Sequence, residues 1–394
     1  MRRTLLACLV VGLMTSWAIA ADPAPFAEPL QVGAEARKIS ADYYKAQSEA
    51  KTAEERAKAL AARNETFEKL LTAAAAAKSS EHSELARLNF LLNHYDAAAS
   101  AAREAIKAQD TDYFSHATLI QSLSMLKQTD AASTAFGKLL EPAVAPADVT
   151  RYTPALGSAA GFLVRQLSQA GDYAKAEQAI KDWQAKLDKL EPDTDPGKQS
   201  LENAKKGIGS ILARLASEKT RSELVGKPYF PIDGATWLNG SPLKPEELRG
   251  KVVLLDFWAV WCGPCIATFP HLREWQDKYG DKGLVIVGVT RRYKFDWDAE
   301  TKRIKRVEDL EPAKEDLATA AFFAHHSLKH RIAVMEDNSL SEKYVVTGIP
   351  QAVVVDKQGM IRTIRVGSGP DNAKALEEAI REALDLKKDV AAGE

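Results

Sequence analysis

The spacing of hydrophobic residues divides the chain into two parts. The N-terminal half is rich in Ala, Lys, Glu and Leu, which are good helix formers. A loop is expected from Leu190 to Ser200, where two prolines and a glycine precede a last helix. From Val225 onward, apolar runs rich in β-branched residues alternate with amphipathic segments. The pattern predicts an all-α domain over residues 33–218 and an α/β domain over residues 222–390.

Three segments of the N-terminal part are alike. They are NHYDAAASAAREAI from Asn93, KQTDAASTAFGKLL from Lys127 and AGDYAKAEQAIKDW from Ala170. Tyr95 aligns with Thr129 after 34 residues and then with Tyr173 after 44, and the extra residues fit the loop at 141–151. A period of about 34 residues is typical of tetratricopeptide repeats, which the segments resemble. The resemblance implies a helical hairpin array with a groove for a protein partner, and a plain spacer is the alternative.

Apolar runs in the C-terminal part indicate strands that are buried on both faces. VVLLDFW (Val252–Trp258) and LVIVGVT (Leu284–Thr290) are the two longest. The segment between them has a helical apolar face, formed by Ile266, Phe269, Leu272, Trp275 and Tyr279. The further elements expected are a helix near 317–326, strands over 351–356 and 360–366 joined by the turn DKQG, and a closing helix over about 372–386. Strand, helix and strand followed by a hairpin and a helix is the thioredoxin arrangement.

The N-terminus has the parts of a secretory signal peptide. Arg2-Arg3 form a basic region, an uncharged apolar run extends from Leu5 to Trp17, and Ala18-Ile19-Ala20 matches an A-x-A cleavage site. We therefore expect residues 1–21 to be a signal peptide. An uncleaved membrane anchor is the alternative, although the apolar run is short for a bilayer span. Export places the protein in the periplasm or on the extracytoplasmic face of a membrane.

Charge and cysteine content narrow the range of functions. The chain balances 53 Lys and Arg against 54 Asp and Glu, which argues against a general nucleic-acid-binding protein. Of three cysteines, Cys8 lies in the predicted signal peptide, where lipidation is an alternative. The mature chain then keeps only Cys262 and Cys265, which are too few for a disulfide scaffold.

These two cysteines lie in WCGPC, where a predicted strand passes into a helix. Disulfides are attacked by a thiolate, and the free N–H groups and positive dipole of a helix N-terminus stabilise one at Cys262. Cys265 lies one turn further and is expected to be more buried, so it is placed to resolve a mixed disulfide. Gly263 is expected to permit the tight turn, and Pro264 needs no N–H partner at a helix start. Cys262 is therefore predicted as the nucleophile and Cys265 as the resolving thiol.

Three other roles of the cysteine pair are alternatives. A zinc site needs about four ligands, and the candidates His325, His326 and His330 are expected at the surface. A structural disulfide would close a very short loop and gain little stability. A peroxidase would carry Pro and Thr or Ser upstream of its cysteine, where this chain has Ala259-Val260-Trp261. Dithiol–disulfide exchange fits best, and we expect neither a metal nor another cofactor.

The motifs together resemble a known family. DFWAVWCGPC followed by Pro270, and later GIPQAVVVD, is similar to the thioredoxin superfamily. The lead LVGKPYFPIDGATWLNGSPLKPEELRGKVVLLDFWA and the segment inserted after GVT narrow the resemblance to TlpA/ResA-like thiol-disulfide reductases. It covers about residues 224–386 and implies client proteins with thiols or disulfides and a membrane electron donor of the DsbD type.

The resemblance also assigns roles to residues outside the cysteine pair. Asp256, the one carboxylate in its strand, would accept a proton from Cys265. Pro350 would follow a cis peptide bond and pack against the cysteines. Substrate contacts are expected at Trp261, Gly263, Pro264, Ile349 and Pro350.

One further residue and one further segment bear on function. Thr268 stands where many TlpA/ResA-like chains carry a glutamate, so the family's tuning by that residue is in doubt. The charged segment from Arg291 to Glu311 is either solvated surface or a surface that steers a partner.

The sequence therefore predicts an exported thiol-disulfide oxidoreductase with a helical adaptor domain. Reduction or isomerisation of client disulfides is favoured, because Gly-Pro between the cysteines resembles thioredoxin. The alternative is a binding scaffold or assembly factor in which the thioredoxin-like domain is only a folding module.

Overall fold

The computed structural model describes residues 30–50 and 52–386. The predicted signal peptide lies outside these residues, as do residues 387–390 of the predicted C-terminal domain. The chain divides into two compact units between Gly209 and Ser210. Within the described part, no helix has the length and apolar content needed to cross a membrane.

The N-terminal unit is built from helices, which confirms the predicted fold class of this half. In chain order they are α1 (Val32–Glu49), α2 (Ala53–Ala76), α3 (His82–Leu91), α4 (Tyr95–Ala108), α5 (Tyr113–Met125), α6 (Thr129–Leu140), α7 (Val149–Gln169), α8 (Tyr173–Leu187) and α9 (Asp195–Leu224), which extends past the division. Neighbouring helices pack against each other as hairpins, α1 on α2, α3 on α4, α5 on α6 and α7 on α8.

The three similar segments adopt the same local structure. Tyr95, Thr129 and Tyr173 are each the first residue of a helix, α4, α6 and α8. The turn before each helix has one residue with positive φ, at Asn93, Lys127 and Gly171. Three residues into each helix an alanine is buried, at Ala98, Ala132 and Ala176. The sequence alignment therefore matches the structure at the turn residue, at the first residue of the helix and at the buried alanine.

The expected loop from Leu190 to Ser200 is partly wrong. Helix α9 begins at Asp195, inside that segment. Pro196 is tolerated in the first turn, where a missing N–H costs no helical hydrogen bond. The Thr194 side chain accepts a hydrogen bond from the Gly197 N–H at 3.2 Å, which caps the helix start.

The C-terminal unit contains strands and helices in alternation. In chain order they are β1 (Thr236–Leu238), α10 (Pro245–Leu248), β2 (Val252–Phe257), α11 (Gly263–Ile266), α12 (Phe269–Tyr279), β3 (Leu284–Arg291), β4 (Phe295–Asp298), β5 (Arg303–Arg306), α13 (Pro312–His325), β6 (Arg331–Met335), α14 (Ser339–Lys343), β7 (Gln351–Val355), β8 (Ile361–Val366) and α15 (Pro370–Ala383).

Six strands form one mixed sheet in the order β1-β6-β3-β2-β7-β8. Strand β2 is central and runs parallel to β3 and antiparallel to β7. One face of the sheet packs on α12, α13 and α15, and the other packs on α14 and the extended segment before β1. Both faces of β2 are covered, which is why its sequence is a continuous apolar run.

The predicted strands and hairpin are confirmed within a residue or two at their ends. In the DKQG turn, the Asp356 side chain accepts hydrogen bonds from the N–H groups of Gln358 and Met360, both at 2.9 Å. Strands β4 and β5 form a separate two-stranded sheet within the charged segment. Its register places Asp296 opposite Lys305 and Asp298 opposite Arg303, so much of the charge faces opposite charge.

Candidate active site

The cysteine pair follows the central strand directly. After β2, a tight turn with a hydrogen bond from the Cys262 N–H to the Ala259 carbonyl at 3.0 Å brings the chain to the start of α11. Cys262 is the N-cap residue of α11, and Cys265 lies within it. The sequence folds this way because Pro264 in the first turn fixes φ without removing a helical hydrogen bond.

The two cysteines form a disulfide, with their Cα atoms 5.2 Å apart. Cys265 is fully buried, and Cys262 keeps 3% of its surface exposed. The Cys265 N–H points at the Cys262 sulfur at 3.2 Å. An N–H donor at this sulfur stabilises a thiolate after reduction, so the geometry favours Cys262 as the attacking thiol.

Both cysteines are buried in this oxidised state, and the expected difference between them is small, while the neighbouring Trp261 is 45% exposed. One expectation about this turn needs correction. Gly263 does not have positive φ, and a Cβ at this position would meet no atom within 4 Å. The turn therefore does not require glycine, and Gly263 instead leaves open space beside the disulfide.

The helix after the cysteines is broken into two pieces. The predicted single apolar face runs through α11 and α12, but Ala267 and Thr268 separate them. Pro270, in the first turn of α12, has no N–H with which to continue the ladder from α11. The Thr268 N–H and hydroxyl both donate hydrogen bonds to the Cys265 carbonyl, at 3.0 and 2.7 Å, and so connect the two helices.

Asp256 lies on the sheet face that carries the cysteines. Side chains of a strand alternate between faces, so Asp256 shares its face with Val252 and Leu254, which pack in the same cluster as Cys265. The carboxyl group is 97% buried, and its Oδ2 atom has no hydrogen-bond partner. Burial raises the pKa of Asp256 to about 7.

A cavity of about 520 Å³ opens beside this carboxyl group. Asp256, Thr268, Pro350 and Ala352 are among its lining residues, together with residues of α12 and α15 and of the turn between β8 and α15. Thr268 therefore shares a cavity with Asp256, although it replaces the glutamate of many TlpA/ResA-like chains.

The Ile349–Pro350 peptide bond is cis, as the resemblance implies. The Pro350 carbonyl accepts a hydrogen bond from the Gly367 N–H at 2.7 Å, which ties the start of β7 to the end of β8. Ile349 faces a second cavity of about 310 Å³, on the side of the disulfide where Trp261 lies. Trp261 and Ile349 thus line one cavity, whereas Pro350 lines the cavity at Asp256, and Gly263 and Pro264 line neither of the two.

The histidines differ from the expectation that all three lie at the surface. His325 is exposed and His326 is half-buried, but His330 is buried just before β6. Burial lowers the pKa of His330 to about 3, which keeps it neutral. Among residues 30–50 and 52–386, no group of three or more His, Cys, Asp or Glu side chains is arranged to hold a metal ion.

The sequence pointed to the segment that begins at Arg291 but not to the contacts its residues make. Arg291 and Tyr293 belong to the charged segment that was expected to be either solvated surface or a surface that steers a partner, and both line the cavity at Trp261. Glu315 of α13 is buried and fixes the backbone at Tyr293. The only sequence signal was the position of Arg291 at the end of a parallel strand, where the carboxyl edge of such sheets carries functional side chains.

Comparison with known proteins agrees with this geometry. Residues 225–380 match the family model described as Redoxin. The thiol-disulfide oxidoreductase ResA of Bacillus cereus is 26% identical over 176 residues, which are 44% of this chain and 87% of the relative. The thiol-disulfide oxidoreductase YkuV of Bacillus subtilis is 29% identical over 149 residues, 38% of this chain and 87% of the relative.

A longer relative matches the same part of the chain. Protein DipZ of Mycobacterium bovis is 31% identical over 180 residues, which are 45% of this chain and 22% of that protein. A disulfide-bonded cysteine pair at a helix start, a buried carboxyl group and a cis-proline therefore occur here in a domain with ResA-like relatives. The C-terminal domain is a redoxin domain of the thioredoxin superfamily, of the TlpA/ResA-like kind, and acts as a thiol-disulfide oxidoreductase.

Proposed function

We propose that this protein is an exported oxidoreductase that reduces or isomerises disulfides in client proteins. The observation that supports this most directly is the Cys262–Cys265 disulfide, with an N–H donor at the Cys262 sulfur in a redoxin domain. The predicted signal peptide supports export. An intact redox pair does not favour the alternative of a scaffold with an idle thioredoxin-like domain.

In the reducing direction, the Cys262 thiolate attacks one sulfur of a client disulfide. The client S–S bond breaks, one client thiolate leaves, and a mixed disulfide with Cys262 forms. Cys265 then loses its proton and attacks the Cys262 sulfur, which releases the second client thiolate. The client gains two electrons, and the Cys262–Cys265 pair is oxidised to the disulfide seen in the structure.

We assign the proton-accepting role in the second step to Asp256. Its pKa of about 7 suits a group that takes up and releases a proton near neutral pH. Its location on the cysteine-bearing face, its lack of a hydrogen-bond partner at Oδ2 and the adjoining cavity support the assignment. Thr268 offers no carboxylate, so Asp256 takes the role alone at this position.

The direction of exchange and the partners extend this proposal. The Gly-Pro pair between the cysteines resembles thioredoxin, which favours reduction or isomerisation. A reductase in an oxidising compartment must be reduced again from elsewhere, and a membrane donor of the DsbD type would supply the electrons. The helical domain, with its tetratricopeptide-like segments, would bind a protein partner.

Trapping of mixed disulfides tests the assignment of the two cysteines. Cys265→Ser should accumulate client proteins linked through Cys262, because the resolving step is lost while the attack remains. Cys262→Ser should trap none, although it retains one cysteine and so serves as the matched control. Complexes are read on non-reducing gels and by mass spectrometry of the linked peptides. Linkage through Cys265 instead would reverse the roles.

A further inference from the structure

The cavity beside Trp261 has the features of a groove for a client segment. Its walls combine apolar side chains with backbone and hydroxyl groups, and its volume is about 310 Å³. The lining residues include Trp261, Thr290, Arg291, Tyr293, Ser341 and Ile349. They include the residue before Cys262 and the residue before the cis-proline, so a segment in this groove lies against the disulfide.

Arg291 is the one charged residue among those that line this groove. Its guanidinium lies over the ring of Tyr293, 4.9 Å from the ring centre. Tyr293 in turn meets Trp261 edge-to-face, with ring centres 5.4 Å apart. In the described part of the chain, Arg291 forms no ion pair with a carboxylate of its own protein. The groove is therefore electropositive at one end.

Neighbouring residues hold this arrangement in place. Arg292 points away and binds both carboxylate oxygens of Asp316 at 2.9 Å, and it also pairs with Glu336. The side chain of Glu315 accepts hydrogen bonds from the N–H groups of Tyr293 and Phe295. The acidic groups of α13 are thus bound to the residues after Arg291, which leaves Arg291 to face the groove.

We infer that the groove selects extended client segments that carry Asp or Glu beside the disulfide-bonded cysteine. The client carboxylate would pair with Arg291, and apolar atoms of the segment would contact Trp261 and Tyr293. This inference rests on the proposed function and adds a substrate class to it. Positive charge in a groove without internal acids raises the rate of encounter with acidic partners.

Disulfide peptides that differ at one position test the inference. Three cyclic peptides with one disulfide each carry Glu, Gln or Lys next to the cysteine that is attacked. The full chain is reduced beforehand with dithiothreitol, which is then removed, and the second-order rate constant for a single round of reduction is measured with each peptide. We expect the Glu peptide to react about fivefold faster than the Lys peptide at low salt, with a smaller ratio at high salt.

Two variants separate the role of Arg291 from a general effect of charge. Arg291→Gln should remove the preference, so that the rate constants for the Glu and Gln peptides become equal within about twofold at low salt. Arg362→Gln, which removes an exposed arginine that does not line the groove, should keep the preference.

Each other outcome has a definite meaning. Equal rates for the three peptides in the wild-type protein would overturn the inference while leaving the oxidoreductase activity in place. A uniform loss on all three peptides in Arg291→Gln would also overturn it, because Arg291 would then act on the Cys262 thiolate. Failure of the wild-type protein to reduce any of the peptides would contradict the proposed function itself.

Discussion

At the residue scale, Asp256 lowers the stability of the folded domain when it is ionised, and it is proposed to accept a proton in the reaction. A buried carboxyl group without a full set of hydrogen bonds favours its neutral form, and that raises its pKa. The folded state therefore binds the proton more tightly than the unfolded chain does. This tighter binding contributes fully to the free energy of unfolding at pH values below the pKa of Asp256 in the unfolded chain. The contribution is lost as the pH rises toward the folded-state pKa of about 7.

Replacement of Asp256 by Asn should stabilise the domain in a pH-dependent way. Each pKa unit corresponds to about 1.4 kcal/mol, so ionised Asp256 costs a few kcal/mol at about pH 8 and little at about pH 4. We expect the melting temperature of Asp256→Asn to exceed that of the wild type at about pH 8, and the difference to disappear toward about pH 4. A difference that does not vary with pH would contradict the raised pKa.

The same variant should slow the resolving step. Without a proton acceptor, attack by Cys265 on the mixed disulfide is expected to fall by about 100-fold, whereas the first attack by Cys262 changes less. Stopped-flow exchange with a model disulfide measures the two steps separately. Unchanged resolution would remove Asp256 from the mechanism and leave its burial without a catalytic explanation.

At the element scale, the strands that the sequence predicted most clearly are those that are buried on both faces of the sheet. Strands β2 and β3 are covered on both faces, so their composition alone identified them. Strand β6 was missed because its five residues stand between charged neighbours, and β4 and β5 were missed because their outer residues are polar. The break between α11 and α12 depends on one proline, which a helical periodicity does not reveal.

The residues of the candidate site also differ in how clearly the sequence identifies them. Cys262, Cys265 and Pro350 stand in recognisable motifs, and Asp256 is conspicuous as the one charge in an apolar strand. Arg291 has a weaker signal, its position at the end of a buried strand, since its segment is otherwise rich in both charges. Only the fold shows that Arg292 is bound to α13 while Arg291 faces the groove.

Replacement of Glu315 tests whether α13 holds the backbone at Tyr293 and Phe295 in place beside the groove. Glu315→Ala should lower the free energy of unfolding by about 1–3 kcal/mol, because two backbone N–H groups lose their acceptor. Hydrogen exchange at Tyr293 and Phe295 should accelerate, and the preference for the acidic peptide should weaken as Tyr293 shifts. Glu311→Ala, an exposed glutamate at the start of the same helix, is the control. Unchanged exchange at both amides would show that the hairpin does not depend on this contact.

At the scale of the whole molecule, the helical unit supports an adaptor role without naming a partner. The repeated turns and buried alanines of α4, α6 and α8 show that its similar segments form similar structures. The assignment to tetratricopeptide repeats stays a prediction. In the proposal both units are exported together, so that clients with stable disulfides, the electron donor and a partner of the helical unit lie in one compartment.

Counting free thiols in cells tests export and redox direction in one measurement. The chain has three cysteines, of which Cys8 lies in the predicted signal peptide. Acid-quenched cells are treated with a maleimide that adds a fixed mass to each free thiol, and the intact protein is weighed. The cleaved, reduced protein should carry two adducts, the cleaved, oxidised protein none, and a chain that retains Cys8 one more in either state.

A reductase supplied with electrons should show mainly two adducts, and loss of the membrane donor should convert it to none. A cleaved protein that carries no adduct even when the donor is present would contradict the reductase proposal and favour an oxidase, since the pair would then be held ready to accept electrons.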